Sequence, residues 1–300
     1  MIDGENYVGM RQNLTAGLYL VATPIGNARD ITLRTLDILR DADVLAAEDT
    51  RSLRRLMEIH GIALGDRPLI PYHDHNGARA RPRIMAELQS GKSVVYASEA
   101  GTPMISDPGF DLARAVQDEG LPVTSAPGAS AVVTALTLAG LPTDRFLFAG
   151  FLPNASGARK RVLKELSEVQ ATLAFYESPK RLAASLRDAV TVLGGDRPAS
   201  VCRELTKKFE ESRRGTLADL ADHYANNNVK GEIVLLIGKG DKAEVSEDLI
   251  DQDLRLALQT MSVRDAADLV SGKFDIKRRP VYQRAMQMAQ DDAQEGEDEE

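Results

Sequence analysis

The sequence predicts an α/β protein with two domains, followed by a short helical segment. From Gly17 onward, short apolar runs alternate with longer amphipathic runs, and this alternation repeats five times. Such alternation is typical of a parallel sheet with helices packed on its faces. The chain of 300 residues is longer than one typical domain, and its composition, 43% hydrophobic and 27% charged, suits a protein with a sizeable buried core.

Five short runs rich in apolar or β-branched residues are the predicted strands of the first domain. They span residues 18–22, 44–47, 68–72, 93–97 and 122–125. Helices are expected to fill the intervals between them. We expect Asp30 to cap the first helix, and Asp49 or Thr50 to cap the second, which Gly61 ends.

A polar or glycine-rich loop follows each of these strands, at residues 23–27, 48–51, 73–76, 98–103 and 126–130. In an open parallel sheet these loops lie at one edge, where ligands bind, so we expect a small-molecule site there. The fourth loop is the most informative. Gly101 and Gly109 would let backbone N–H groups approach a ligand, although a connection stiffened by Pro103 and Pro108 is an equal alternative.

The pattern changes near residue 143, and this change sets the predicted domain boundaries. We expect a flexible N-terminus (1–16), the first α/β domain (17–143), a smaller α/β domain (144–241), a linker with a small helical domain (242–290) and a disordered acidic tail (291–300). In the smaller domain the segment 212–216 is expected to be a strand or a turn.

Charge and composition narrow the classes of function. The formal net charge is −8, but the last ten residues hold seven acids, so the other 290 carry −1 and RNA is not excluded as a partner. Neither G-x-G-x-x-G nor a P-loop occurs, which disfavours dinucleotide binding and ATPase chemistry.

The single cysteine, Cys202, is expected to be a buried thiol in a reducing cytoplasm. No signal peptide or run of eighteen apolar residues occurs, so we expect neither export nor a membrane span.

Several motifs together carry a resemblance to a known family. The first domain contains TPIGNxxDIT at 23–32, AAEDTR at 46–51, HDHN at 73–76, SEAGTPxISDPG at 98–109 and PGxSA at 127–131, and the second contains LPxDRFLFxGFLP at 141–153, FYES at 175–178, RELTK at 203–207 and GEIVL at 231–235. In this order they resemble the tetrapyrrole (corrin/porphyrin) methylase superfamily, and more closely its branch that methylates small-subunit ribosomal RNA. Two departures are Glu99, where the family usually has Asp, and Ala129, where it often has Pro.

The resemblance implies a tetrapyrrole-methylase-like fold, S-adenosylmethionine as cofactor, and methylation of the ribose 2′-hydroxyl of a cytidine in the decoding centre of 16S ribosomal RNA. It also implies a homodimer with 16S RNA or the small ribosomal subunit as partner. The expected cofactor-binding residues are Pro24, Gly26, Ser98, Glu99, Ala100, Gly101, Thr102, Ser130, Ala131 and Glu177. Ser130 and Ala131 begin a helix, whose free N–H groups can receive a polar ligand group.

The acceptor hydroxyl must lose a proton, and the carboxylates and histidines of two loops are the candidate acceptors. We predict Glu48, Asp49 and His75 as catalytic residues, with His73 and Asp74 also possible. Asp49 could instead serve only as a helix cap. The two histidines of the third loop lack a third spaced ligand, so no metal is expected, and a bond to RNA or plain exposure to solvent stays open for them.

Basic residues near the expected cleft are the candidates for contact with RNA: Arg51, Arg159, Lys160, Arg161, Lys207 and Lys208. Glutamates intermingle with them, so a solvated charged face is the alternative. The C-terminal helical segment is a further candidate. Two other functions stay open: a methylase of the same fold with a tetrapyrrole or protein acceptor, and a non-catalytic RNA-binding factor for ribosome assembly that retains the cofactor pocket.

Overall fold

The computed structural model describes residues 14–105, 109–227, 229–240, 247–274 and 276–298, the last seven of these by backbone alone. The chain divides into two compact units, Met1–Gly240 and Asp241–Glu300. Most of the predicted flexible N-terminus and most of the predicted linker lie outside the described residues. So do residues 106–108, which follow the fourth loop.

The first sheet of the larger unit has five strands, all parallel, which confirms the predicted architecture. The strands are β1 (Gly17–Val21), β2 (Val44–Ala47), β3 (Leu69–Pro71), β4 (Ser93–Ala97) and β5 (Val123–Ala126), in the order β3-β2-β4-β1-β5. The helices are α1 (Leu33–Asp41), α2 (Thr50–Ile59), α3 (Gly77–Gln89), α4 (Phe110–Asp118) and α5 (Ala131–Ala139). Every residue of β1, β2 and β4 is buried, as expected for parallel strands covered on both faces.

Helix capping corrects one prediction and confirms another. The cap of α1 is Thr32 and not Asp30, because the Thr32 hydroxyl accepts the N–H of Thr35 at 3.1 Å. Asp49 caps α2 as predicted, and its carboxylate accepts the N–H groups of Arg51 and Ser52. A side-chain oxygen at this position satisfies donors that have no partner inside the helix.

The second sheet of the same unit is mixed. Its strands are β6 (Phe146–Phe151), β7 (Thr172–Glu177), β8 (Pro198–Arg203), β9 (Glu211–Thr216) and β10 (Ile233–Ile237), in the order β6-β7-β10-β8-β9. Only β6 and β7 pair in parallel. The helices are α6 (Ser156–Glu165), α7 (Leu182–Leu193) and α8 (Leu217–Ala225). The segment predicted as strand or turn is therefore the strand β9. The two sheets lie on either side of residue 143, and the exact domain boundaries stay a prediction.

Helix α5 joins the two halves of the larger unit. Its buried side chains Val132, Ala135 and Leu136 pack with Cys202 and Val234 of the second sheet in one apolar cluster. Cys202 is a buried free thiol, as predicted. Because α5 begins directly after the loop that follows β5, this packing places the carboxyl edge of the first sheet against the second sheet.

The described residues of the smaller unit form three helices, α9 (Glu247–Leu258), α10 (Val263–Phe274) and α11 (Arg278–Asp298). Its own apolar cluster consists of Leu254, Ala257, Ala266, Ala267, Val270, Val281 and Ala285. Helix α11 extends to Asp298, into the stretch from residue 291 that is predicted as a disordered acidic tail. Alanine, glutamine and glutamate in this stretch are good helix formers. Within the described residues, no helix is long and apolar enough to cross a membrane.

Candidate active site

A cavity of about 510 Å³ lies between the carboxyl edge of the first sheet and the strands β7 and β10 of the second. The first sheet contributes Glu48, Glu99, Ala100, Gly101, Thr102, Ser130 and Ala131, and the second contributes Phe151, Tyr176, Glu177, Ser178, Pro179, Leu205, Gly231, Glu232 and Val234. The structure therefore brings seven of the ten predicted cofactor-binding residues to one cavity. The other three, Pro24, Gly26 and Ser98, line a neighbouring groove.

Hydrogen bonds hold the fourth loop to the first loop and to the fifth. Thr23 and Gly101 exchange two backbone hydrogen bonds, of 2.9 and 3.0 Å. The Ser98 hydroxyl donates to the carbonyl of Gly101 at 2.7 Å, and the Thr102 hydroxyl donates to the carbonyl of Ala129 at 3.0 Å. These bonds fix the shape of the cavity wall before any ligand binds.

The structure gives reasons of its own for glycine at position 101. Its N–H already donates to Thr23, so the residue does not offer that group to a ligand. Its φ is +83°, a region that disfavours residues with a side chain, and a Cβ there would lie 3.3 Å from Cγ2 of Ile25. Gly101 is thus required by the backbone conformation and by the close packing of loops.

Two residues with carboxylate side chains, Glu48 and Glu99, line the cavity and contact each other. The N–H of Glu99 donates to Oε2 of Glu48 at 3.1 Å. Partial burial raises the pKa of Glu99, and the negative charges of Glu48, Asp49 and Glu232 raise it further against a weaker opposing effect of Arg51. Glu99 is therefore more easily protonated than an ordinary glutamate.

Asp49 has the opposite electrostatic character. Its pKa is lowered by the hydrogen bonds from the backbone and the side chain of Arg51, and then by the N–H of Ser52, which together outweigh burial. Its carboxylate caps α2 and lines the neighbouring groove rather than the main cavity. These contacts make Asp49 a weaker candidate for proton acceptor than Glu48 or Glu99.

Glu177 lies at the cavity wall with both carboxylate oxygens in use. Oε1 accepts the N–H of Ser178 at 2.7 Å and pairs with Arg181 at 2.6 Å, while Oε2 accepts the Ser185 hydroxyl at 2.5 Å. The side chain is fully buried. Glu177 therefore organises the turn at Ser178 and Pro179, which lines the cavity.

The turn between β8 and β9 supports the cavity in a way that the sequence alone does not reveal. Glu204 and Thr206 adopt positive φ angles of 50° and 64° although neither is glycine. Glu204 accepts the N–H of Glu232 at 3.0 Å and the ammonium of Lys207 at 3.1 Å. A Cβ on Gly231 would lie 2.4 Å from the Glu204 carboxylate, so this turn presses directly on the cavity wall. The RELTK motif marks the turn, but its supporting role depends on the pairing of β8 with β10.

The same turn explains Gly26. A Cβ at position 26 would lie 2.5 Å from Cγ of Lys207, and the neighbouring N–H of Asn27 donates to the Thr206 hydroxyl at 3.0 Å. Gly26 thus allows the first loop to pack against the β8–β9 turn. Lys207 is held by Glu204 and, at 2.8 Å, by Glu232, so its ammonium is occupied within the protein.

Two further predicted site residues lie away from the cavity. Arg159 is buried, because its guanidinium pairs with Asp188 at 2.7 Å and donates to the carbonyls of Pro153 and Asn154. It is therefore not available to RNA. His75 is exposed beside His73 and lines neither the cavity nor the groove, so the structure does not bring it to the reaction site.

The remaining predicted basic residues differ in how freely they can bind a partner. Lys160 is half-buried and lies 3.5 Å from Asp188, while Arg51, Arg161 and Lys208 are exposed. Across the described ranges, no group of three or more histidine, cysteine, aspartate or glutamate side chains is arranged to hold a metal ion.

Two family models match this chain. The model of Tetrapyrrole (Corrin/Porphyrin) Methylases matches residues 17–221, and the model of the RsmI C-terminal HTH domain matches residues 243–289. The first match covers both sheets except β10, and the second covers α9, α10 and the first part of α11.

Curated relatives resemble the chain over nearly its whole length. A Mesorhizobium japonicum protein named Ribosomal RNA small subunit methyltransferase I is 47% identical over 280 residues, which cover 92% of this chain and 93% of the relative. A relative of the same name from Erythrobacter litoralis is 47% identical, over 92% of this chain and 96% of the relative. One from Pseudomonas aeruginosa is 42% identical, over 91% of this chain and 98% of the relative.

Solved structures share the fold of the larger unit. A cobalt precorrin-4 methyltransferase of cobalamin biosynthesis has a TM-score of 0.56 at 19% identity, over 74% of this chain and 94% of its own. A uroporphyrin-III C-methyltransferase from Thermus thermophilus, solved with S-adenyl homocysteine, has a TM-score of 0.52 at 18% identity, over 74% and 97% of the two chains. At such identities the likeness shows the fold alone.

Proposed function

The chain belongs to the tetrapyrrole (corrin/porphyrin) methylase family, and from this premise we propose that it methylates the ribose 2′-hydroxyl of a cytidine in the decoding centre of 16S ribosomal RNA. The observation that carries the proposal is the extent of the match. Relatives named as small-subunit ribosomal RNA methyltransferases align over both sheets and over the C-terminal helices, at up to 47% identity. A shared fold alone would not extend to the C-terminal unit.

S-adenosylmethionine is the cofactor of this family of methyltransferases. When bound, it supplies an activated methyl group on a positively charged sulfonium. The residues of the cavity fit it: the volume of about 510 Å³ lies in the range of small-molecule sites, and Ile25, Leu205 and Val234 provide apolar walls. The acidic mouth formed by Glu48 and Glu99 suits a cationic ligand.

The chain's own residues have two tasks in the proposed reaction, to hold donor and acceptor in line and to take the acceptor's proton. The fastened fourth loop and the N-terminus of α5 perform the first task, with the hydroxyl groups of Thr102 and Ser130 at the cavity. For the second, we propose Glu99, with Glu48 beside it. A raised pKa brings a carboxylate closer to the working pH of the cell, where a proton acceptor is most effective.

The proposal is tested by methyl transfer from labelled S-adenosylmethionine. The protein is incubated with free 16S RNA and, separately, with 30S subunits from a strain that lacks the modification, and the RNA is digested to nucleosides. We expect label in 2′-O-methylcytidine from at least one substrate. Label on a base, or transfer to neither substrate, would contradict the proposal, and incubation with a porphyrin precursor tests the alternative acceptor.

We also propose a homodimer acting in the cytoplasm, where small subunits are assembled. The edge strand β6 supports the dimer, because Phe146, Leu147 and Phe151 are exposed on it. Sedimentation at micromolar concentration checks the assembly state. A mass of 32.6 kDa across the concentration range would contradict the dimer.

A further inference from the structure

A second concavity, here called the side groove, lies next to the main cavity and has a volume of about 600 Å³. Its floor is the first loop, at Pro24, Gly26 and Ala28, and one wall is helix α2. Both concavities are lined by Glu99, which therefore marks the place where they meet. Any chain that enters the cavity by this route must pass over the proposed proton acceptor.

Two arginines on the wall of the side groove have exposed side chains. Arg51 and Arg55 are four residues apart, so they lie on one face of α2. Their side chains are 92% and 73% exposed, and each has one ion pair of 3.4 Å, with Asp49 and Glu58 respectively. Exposed pairs of this kind contribute little, so both guanidinium groups can exchange partners at small cost.

The positive charge of this wall comes from the arginines and not from the end of the helix. The N–H groups of Arg51 and Ser52 are already satisfied by the Asp49 carboxylate. An anion in the groove would therefore be held by planar guanidinium groups, which match the oxygens of phosphate in pairs. Between the arginines and the floor lie the apolar side chains of Leu56 and Ile59, the latter half exposed.

A groove with guanidinium groups along one wall and apolar surface beside them matches a single RNA strand, whose phosphates alternate with sugars and bases. The positions of two other candidates for contact with RNA favour the same groove. Arg159 is buried and Lys207 is held by two carboxylates, so neither supplies charge for RNA near the cavity.

We propose that the side groove binds the strand next to the acceptor nucleotide, with Arg51 and Arg55 in contact with its phosphates. The strand then crosses Glu99, and the acceptor nucleotide enters the main cavity. This inference rests on the proposed function, because it requires an RNA acceptor.

The test compares Arg51→Gln, Arg55→Gln and their double variant with Arg54→Gln. Arg54 is exposed on the same helix but does not line the groove, so it is a matched control. Binding of 16S RNA is measured across a series of salt concentrations. Each phosphate contact adds about 0.7 to the slope of log affinity against log salt for a single strand, so we expect the double variant to lose about 1.4 and Arg54→Gln to lose none.

Calorimetry with S-adenosylhomocysteine accompanies the salt series, and we expect unchanged affinity in all four variants. If the double variant keeps the slope of the Arg54→Gln control, the inference is wrong although the proposed function can stand. If instead the affinity for S-adenosylhomocysteine falls while the RNA slope is kept, the groove holds the carboxylate of the donor and the inference is again wrong. Failure of the unaltered protein to bind or methylate RNA would contradict the proposed function as well.

Discussion

Glu99 is a carboxylate whose charge is disfavoured by its surroundings. Burial and three nearby carboxylates raise its pKa, so the folded protein keeps a proton on Glu99 at pH values where the unfolded chain has released it. Stability therefore falls as pH rises from the ordinary range of a glutamate through the raised pKa of Glu99. This cost is consistent with a role in the reaction, since sites of function often tolerate unfavourable charge.

We expect Glu99→Gln to stabilise the protein and to impair the reaction. Its melting temperature should exceed that of the unaltered protein at pH 8, and the difference should disappear near pH 4, because both proteins are then uncharged at this position. Removal of a proton acceptor should slow single-turnover methyl transfer roughly 100-fold. Glu165→Gln, at an exposed end of α6, is the control and should change neither quantity. A variant with the normal rate would exclude Glu99 as proton acceptor.

Gly101 permits a second test, because Gly91 has nearly the same φ angle but no atoms close to where its Cβ would lie. Their φ values are +83° and +82°, but a Cβ on Gly91 would meet nothing within 4 Å. Alanine at either position should cost about 1–2 kcal/mol of stability from the backbone conformation. Only Gly101→Ala should also weaken binding of S-adenosylhomocysteine, on the order of tenfold, because binding must restore the strained loop.

Thermal unfolding and calorimetry of the two glycine variants check this expectation. Equal donor affinities in Gly91→Ala and Gly101→Ala would show that the fourth loop does not contact the donor. The sequence identifies the loop and its glycine, but it does not reveal the packing of that glycine against the first loop. The pairing of Gly101 with Thr23 joins residues 78 positions apart, and spacing along the chain does not reveal such a contact.

Helix α6 shows what a run of basic residues in the sequence can and cannot predict about a helix. Arg159, Lys160, Arg161 and Lys164 form a basic run, which predicts an exposed binding face. In the structure one member of the run points inward, where it pairs with Asp188 and holds the carbonyls of the loop after β6. Periodicity predicts the helix, but the buried partner on α7 decides which arginine is structural.

We expect Arg159→Met to destabilise the fold by about 3–5 kcal/mol, because it leaves Asp188 buried without its main partner. Burial alone raises the pKa of Asp188, and the hydrogen bonds from Arg159 and Ser156 outweigh it and lower that pKa. Arg161→Gln on the exposed face should change stability by less than about 0.5 kcal/mol. Urea unfolding measures both. A stable Arg159→Met protein that has lost RNA binding would show that Arg159 contacts RNA and does not support the fold.

At the scale of the whole molecule, the sequence predicts the parallel sheet well because its strands are buried on both faces and leave a clear apolar pattern. Composition alone does not tell where the last helix ends, and α11 extends to Asp298, into the stretch predicted as an acidic tail. From the sequence, the cavity could be placed only at one edge of the first sheet. Its second wall, at Glu177, Glu204 and Gly231, depends on how the two sheets pack through α5.

The division into two compact units leads to a final prediction about a chain that ends at Gly240. All residues that line the cavity and the side groove belong to the first unit, and the smaller unit has its own apolar cluster. The shortened protein should therefore fold and bind S-adenosylhomocysteine with unchanged affinity. It should bind 16S RNA more weakly and with a smaller salt slope, because residues 243–289 match a helix-turn-helix model and carry exposed basic side chains such as Arg255, Arg264 and Arg279. Normal RNA affinity in the shortened protein would assign recognition to the first unit alone, whereas loss of donor binding would show that the cavity depends on the C-terminal helices.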